Sequence, residues 1–410
     1  VSRLAPLRNQ PFRRLGGAYA ISRIGDMLAI VALAVIVYDR TRSTYATTAL
    51  FIALEFLPAL VGPGLAARVD RLPVGRLLPI LYLVEAALFA ALAALTHSFT
   101  LVPFLALVAL DGVLGVVARA VCRGAVAGVL EPAGELREGM ALLNLAVAPS
   151  MAIGGVVGAA LVTGLSADIA LLVNAGSFAF GALLVGTARA LPRLSAEDDD
   201  VGEGWRERLA ATVRYVRGRR LVSALLVGQA AALVFFAMTE PIEVAYTRDA
   251  LGAGAGGYGA LIAAWGAGVV AGSVLYTWVG SSRLAATALV STALQGVAYL
   301  ALAGVGTIEL ACAVAVVGGA ANGAQLVAIG TALQEAIEPE QQVRVMSVYE
   351  ALSTASPGVG YLLGGAVAAA AGGRAAFAVA GAGVLVVLAA VVVARPWAGL
   401  PARERVGSVA

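Results

Sequence analysis

Twelve apolar stretches, each as long as a membrane crossing, constrain this chain more than any other feature. They run Leu15–Val37, Tyr45–Ala66, Leu77–Leu95, Leu101–Val121, Met140–Val162 and Ile169–Ala190. After a polar interval come Leu221–Thr239, Gly257–Val279, Leu284–Val305, Leu310–Leu333, Val343–Ala371 and Ala375–Ala394. A hydrocarbon layer of about 30 Å takes roughly 20 helical residues, and each stretch comes close to or exceeds that length. Hydrophobic residues make up 60% of the 410 and charged residues only 13%. A soluble domain is about half apolar and a quarter charged, so lipid must cover what no internal core could hide. The expected class is an all-α integral membrane protein with twelve transmembrane helices in two six-helix pseudo-symmetric bundles.

Charge agrees with this topology. Every basic residue is arginine. With the N-terminus inside, Arg40, Arg42, Arg248 and Arg374 fall outside, Arg23 falls within the membrane, and nearly all the others are cytoplasmic, as the positive-inside rule requires. The net charge of +3 is therefore a matter of topology and makes no case for nucleic acid. The first apolar run is too long for a signal-peptide core and is expected to stay as the first span. Cys122 and Cys312 read as packing residues, and His97 as a solvated loop residue. One histidine and two cysteines give no basis for a metal site or any other cofactor.

The chain also repeats itself. "LEPAGELREGMALLNLAVAPS" (130–150) aligns with "IEPEQQVRVMSVYEALSTASP" (337–357) at constant offset. Glu131 and Pro132 fall on Glu338 and Pro339, Arg137 on Arg344, Leu145 on Leu352, and Ala148 on Ala355. Both copies lead from the fourth span of a half into its fifth. The expected units are 1–190, a six-helix bundle; 191–220, a cytoplasmic linker; and 221–410, a second bundle with a short tail. Parallel halves of this kind build transporters that rock about a central site. Within the linker, Trp205, Leu209, Val213 and Val216 keep helical spacing against Arg206, Arg208, Arg214 and Arg217, which predicts an amphipathic helix on the inner membrane surface.

Three segments resemble the major facilitator superfamily, and most of all its bacterial branch of multidrug and siderophore exporters, which includes the enterobactin exporter and macrolide efflux proteins. "SRIGDMLAIVALAVIVYDRTRST" is similar to that branch's first span, with Gly25-Asp26 on its recurrent Gly-Asp. "PGLAARVDRLPVGR" resembles the inner-loop signature, although Ala67 stands where its first acid falls. "IEPEQQVRVMSVYEALSTASPGVGYLLGG" resembles the passage from the tenth to the eleventh span. The resemblance implies the major facilitator fold, small-molecule substrates, protons as the coupling ion and a monomer in the bacterial inner membrane with both termini cytoplasmic. It also implies a cytoplasmic gate in which Arg68, Asp70, Arg71, Arg137 and Arg344 pair with oppositely charged groups or helix C-termini of neighbouring spans, with simple positive-inside topology as the alternative.

Charge inside the membrane marks the candidate site. An Arg or Asp at a helix centre costs roughly 2.5 to 3.5 kcal/mol, so such residues face protein or a wet cavity. Arg23 and Asp26 are three apart and share a helix face. Together with Glu55 and Asp111 they form the expected proton-coupling or cavity set, with a static salt bridge that locks span one to a neighbour as the alternative for the Arg23–Asp26 couple. Gln229, Asn322 and Gln325 are expected to meet substrate, with interhelical bonding as the alternative. Glu85, Arg119 and Asn144 are also intramembrane, and the resemblance, which implies a peripheral third span, gives Glu85 a structural role. Glu240 and Glu243 read as an acidic outer mouth. Glycine-rich "GGVVG" (154–158), "GAGVVAG" (266–272) and "GVGYLLGG" (358–365) predict close helix approach, and Pro149 and Pro357 predict bends in spans five and eleven.

An ATP-driven pump is excluded as a single-chain reading, because GxxxxGK[ST] needs a lysine and there is none. A membrane enzyme lacks a visible nucleophile–base pair or metal cluster. The expected function is secondary active transport by alternating access, namely proton-coupled export of amphipathic small molecules. Facilitated or proton-symport uptake of a polar metabolite is the alternative within the fold, and a channel or non-transporting sensor lies outside it. A cysteine placed at Asp26, with Cys122 and Cys312 replaced, should react with a membrane-impermeant thiol reagent; complete protection from both sides would rule out a wet cavity there.

Overall fold

The structure is a computed structural model that describes residues 4–69, 73–188, 191, 205–279, 284–338 and 341–394, with residues 67, 69, 205–211, 255, 277–279 and 343 as backbone only. The described residues are helical, and they separate into two compact units. Unit 1 comprises Val1–Glu197 with Ala253–Ala263, and unit 2 comprises Asp198–Gly252 with Ala264–Ala410.

Six helices build unit 1: α1 (Gln10–Thr41), α2 (Thr44–Ala66), α3 (Val74–Leu95), α4 (Leu101–Leu130), α5 (Leu136–Gly164) and α6 (Ala167–Gly186). The linker forms a helix over Trp205–Gly218. Unit 2 follows with α7 (Arg220–Ala250), α8 (Ala255–Val279), α9 (Leu284–Gly304), α10 (Ile308–Ala336), α11 (Gln342–Ala371) and α12 (Gly373–Ala394). The first turns of α8 group with unit 1. Among the described residues eleven helices are long and apolar enough to cross a membrane. The twelfth, α11, has 30 residues, ample for a crossing, but its first half carries Arg344, Tyr349, Glu350 and several hydroxyls.

Local sequence explains where the helices begin and break. Asn9 caps α1 by accepting from the Phe12 N–H at 3.2 Å, with Pro11 in the first turn, where a missing N–H is harmless. Within α2 the residues Ile52–Phe56 widen into a π turn, in which the Leu57 N–H donates to the Ile52 carbonyl. Pro58 has no N–H to offer the Leu54 carbonyl one turn back, and such turns form where the ordinary ladder is interrupted. The helix α5 breaks at Ala146, three residues before Pro149, whereas α11 runs through Pro357 without interruption.

Span seven continues past the expected end at Thr239. After Ala237 it passes through a 3-10 turn at Glu240–Ile242 and a π turn at Tyr246–Ala250. Pro241 and six polar side chains from Thr239 to Asp249 end the apolar run, but Ile242, Val244, Ala245 and Tyr246 remain buried and carry the span onward.

The two units share one pattern of helix pairing. In unit 1, α1 packs against α4, α5 and α6, and α3 packs against α4 and α6. In unit 2, α7 packs against α10, α11 and α12, and α9 packs against α10 and α12. Each pairing recurs six helices later, as duplication of a six-span unit requires. The predicted glycine seams are close backbone approaches inside the units: Gly154 and Gly158 of α5 lie on α1, Gly268 and Gly272 of α8 on α10, and Gly360 and Gly364 of α11 on α7.

Arginines at helix ends tie neighbouring ends together. Arg40 donates to the Thr96 carbonyl at 2.9 Å, and Arg374 donates to the carbonyls of Ala303, Val305 and Ala250 at 3.0, 2.6 and 3.1 Å. A cation placed there satisfies orphan carbonyls and the negative end of the helix dipole. On the linker, Tyr215 and Val216 pack against buried Val222, Leu226, Leu333, Ile337 and Val345, while Arg219 pairs with Glu338 and stacks over Tyr215. Gly272→Leu should cut the melting temperature in detergent sharply, since overpacking costs about 1 to 3 kcal/mol and any Cβ there meets the Ala320 carbonyl; a thermal-shift assay checks it.

Candidate functional site

The site grows from the seating of α1. Gly25 lies so close to Asn174 and Ser177 of α6 that a Cβ would collide with the Asn174 side chain. This contact sets the rotation of α1. With Gly25 turned to α6, Arg23 and Asp26 face a cavity of about 480 Å³ walled by α1, α2, α3 and α4. On the far wall Gly112 of α4 nearly touches the Leu54 carbonyl and Pro58, so the π turn of α2 and its Glu55 are held at the rim.

Asp26 is the hub. Its Oδ2 is 3.5 Å from Arg23 Nη1 and 3.7 Å from Arg119 Nη1, and its side chain is 18% exposed. Glu85 and Asp111 lie deeper, and both are buried. Glu85 Oε2 and Asp111 Oδ1 have no hydrogen-bond partner among the described residues. Both carboxyls feel the charges of Asp26 and Arg119. At one end Arg123 donates to Asn144 Oδ1 at 3.0 Å and to the Tyr19 hydroxyl at 3.4 Å, which engages that guanidinium away from the carboxylates.

All four of the expected cavity residues, Arg23, Asp26, Glu55 and Asp111, line this cavity. Glu85 does too, so α3 is not peripheral to the charged site. Arg119 was visible in the sequence without an assigned role, and Arg123 lay beyond the apolar run that ended at Val121. The signal that locates them is a four-residue spacing: Asp111, Gly115, Arg119 and Arg123 form one stripe along α4.

The family follows from comparison with known proteins. The profile of the transmembrane secretion effector family matches residues 1–405. The chain belongs to that major facilitator family. No curated protein sequence matches it significantly. Among solved structures it is similar to the nucleoside transporter NupG, at a TM-score of 0.71 and 12% identity over 94% of this chain and 98% of that one. A POT family transporter in complex with 5-aminolevulinic acid matches at 0.71 and 12%, covering 95% and 96%. The human organic anion transporter MFSD10 matches at 0.61 and 15%, covering 93% and 99%. These likenesses share the fold. The chain is thus a multi-pass membrane transporter of the major facilitator type, and its family and neighbours are transporters rather than enzymes.

The remaining candidates of this major facilitator chain are placed elsewhere. Gln325 donates to Thr292 Oγ1 at 2.7 Å and accepts from Gln295 Nε2 at 3.1 Å, so its amide serves a buried network between α9 and α10. Gln229 is buried on α7, and Asn322 is half-buried on α10. Glu240 accepts from the Tyr361 hydroxyl at 2.7 Å and stands inside a broken helix, as does Glu243. Of the gate residues, Arg68, Arg137 and Arg344 are exposed, while Asp70 and Arg71 lie outside the described residues, as does the Ala67 side chain.

Each carboxylate–arginine contact here offsets charge taken out of water. Asp26→Asn leaves Arg23 and Arg119 without their anion, and Arg119→Gln leaves Asp26 with one cation. Each single change should lower thermal stability in detergent by about 1 to 3 kcal/mol, and the double variant should recover part of that loss, as a double-mutant cycle measures.

Proposed function

We propose that this transporter exports amphipathic small molecules in exchange for protons by alternating access, as a monomer in a bacterial inner membrane with both termini cytoplasmic. One observation carries the reading. A cavity within membrane-spanning helices holds four carboxylates against three arginines, two of the carboxylates bearing buried oxygens without partners among the described residues. Groups of this kind inside a bilayer are expensive, and they mark substrate, ion or proton pathways. Acidic excess in such a cavity suits a cationic, amphipathic substrate, and exchanging it for protons draws on the gradient across the membrane. Secretion, which the family's description names, supports the outward direction.

Asn322 on α10 and Gln229 on α7 are the polar groups of unit 2 best suited to meet substrate, whereas Gln325 is occupied by its own network. The inner-loop arginines Arg68, Arg71, Arg137 and Arg344, with Asp70, are proposed to close the cytoplasmic face. Individual exposed pairs contribute only about 0 to 1 kcal/mol, enough in combination to bias two states that differ by a few kcal/mol.

Proteoliposomes carrying the purified chain test this directly. With an imposed pH gradient, wild type should move ethidium against its concentration gradient toward the acidic compartment, and Asp26→Asn should lose that drive while still inserting and folding. Gradient-driven movement in the opposite sense would favour the uptake reading, and conduction without trans-stimulation in counterflow would favour a channel.

A further inference from the structure

Resting on the proton-coupled reading, we propose that the exchangeable proton is held by the Glu85–Asp111 pair of α3 and α4, with Arg119 as the group that responds to it. Asp26 is then a permanent carboxylate and not the carrier.

Three observations carry this. First, Asp26 faces two guanidinium groups, Arg23 and Arg119, through one oxygen. Protonating it would strand two cations at once, which makes it a poorer carrier than Glu85 or Asp111. Second, Glu85 is 2% exposed and Asp111 7%, and each keeps a buried oxygen without a hydrogen-bond partner among the described residues. Two buried carboxyls lining one cavity do not both stay ionised cheaply, and one bound proton relieves the repulsion and neutralises one of the two unpartnered groups. Third, the cation that acts on both carboxyls is Arg119, already a partner of Asp26. Arg119 is thus paired with Asp26 while its charge also reaches the other two carboxyls.

That sharing makes a switch. A proton from water binds one oxygen of the pair, forming an O–H bond and leaving Arg119 to Asp26. Returning the proton to water breaks that bond and restores negative charge, which draws Arg119 toward Glu85. The path is open because position 115 is glycine. A Cβ there would stand 3.0 Å from Arg119 Nη1 and 3.2 Å from Glu85 Oε1, in the space the guanidinium crosses. The other charged or titratable groups around the pair are Tyr19, Arg23 and Asp26 from α1, Glu55 from α2, Tyr82 from α3, and Cys122 and Arg123 from α4. Tyr19 and Arg123 are bonded to each other, and Arg23 is engaged by Asp26.

Infrared difference spectra of the full chain in lipid, cycled between acidic and alkaline buffer, test the assignment without a known substrate. The acid-minus-alkaline spectrum of wild type should show a protonated-carboxyl stretch, shifted in deuterated water, that is lost in Glu85→Gln or Asp111→Asn and kept in Asp26→Asn. Persistence of the band in both Glu85→Gln and Asp111→Asn, or its loss in Asp26→Asn alone, overturns the proposal. Gly115→Ala should keep the band yet lose pH-driven ethidium efflux; unchanged efflux removes Arg119 from its role. Absence of ethidium flux in wild type would count against the export reading alone, because the infrared band reports the proton's site whether or not ethidium is carried.

Discussion

A charge inside a membrane protein must be answered by another charge or by water, and that requirement organises unit 1. Asp26 is answered twice, by Arg23 one helical turn away and by Arg119 from another helix. Much of the local architecture serves this meeting. Gly25 lets α1 sink against Asn174, Gly112 brings α4 onto the interrupted turn of α2, and Gly115 leaves Arg119 room beside Glu85. Small residues here are what allow large charged ones to converge.

The same helix pairing in unit 2 holds different chemistry. The register that sets Glu131 on Glu338 sets Glu85 on Thr292, and Thr292 anchors the Gln325–Gln295 network between α9 and α10. A buried carboxylate in one unit is matched by a hydroxyl in the other. These neutral groups bond to one another, with Gln295 Oε1 left without a partner among the described residues, and an unpaired amide oxygen carries no net charge to be answered, whereas a carboxylate does. Duplication thus preserved the packing while the polar content of the two units diverged.

How legible was this in the sequence? Helix number and class were plain, because sixty per cent apolar residues gathered in membrane-length runs mark helices that span a bilayer. Arg23, Asp26, Glu55 and Asp111 stood out as misfits in apolar surroundings, and the structure gathers them in one cavity. Glu85 was just as visible but could not be placed, since nothing in α3 itself says which neighbour its acidic face meets. Arg123 was hidden by an apolar run that stopped two residues before it, and the far end of α7 was hidden because Pro241 and Glu240 resemble a loop when read alone.

By itself, then, the sequence determined the membrane-spanning class, the six-plus-six duplication and the identity of most charges that lie within the bilayer. Those follow from composition and period, which are local properties of the chain. Only the tertiary structure decided that Asp26 meets two arginines, that Glu85 and Asp111 face one cavity, and that Gln325 bonds to Thr292 and Gln295. Partnership between side chains on different helices depends on how each helix is rotated about its axis. That rotation is set by contacts such as Gly25 on Asn174, between residues about 150 positions apart, which no pattern along one segment records.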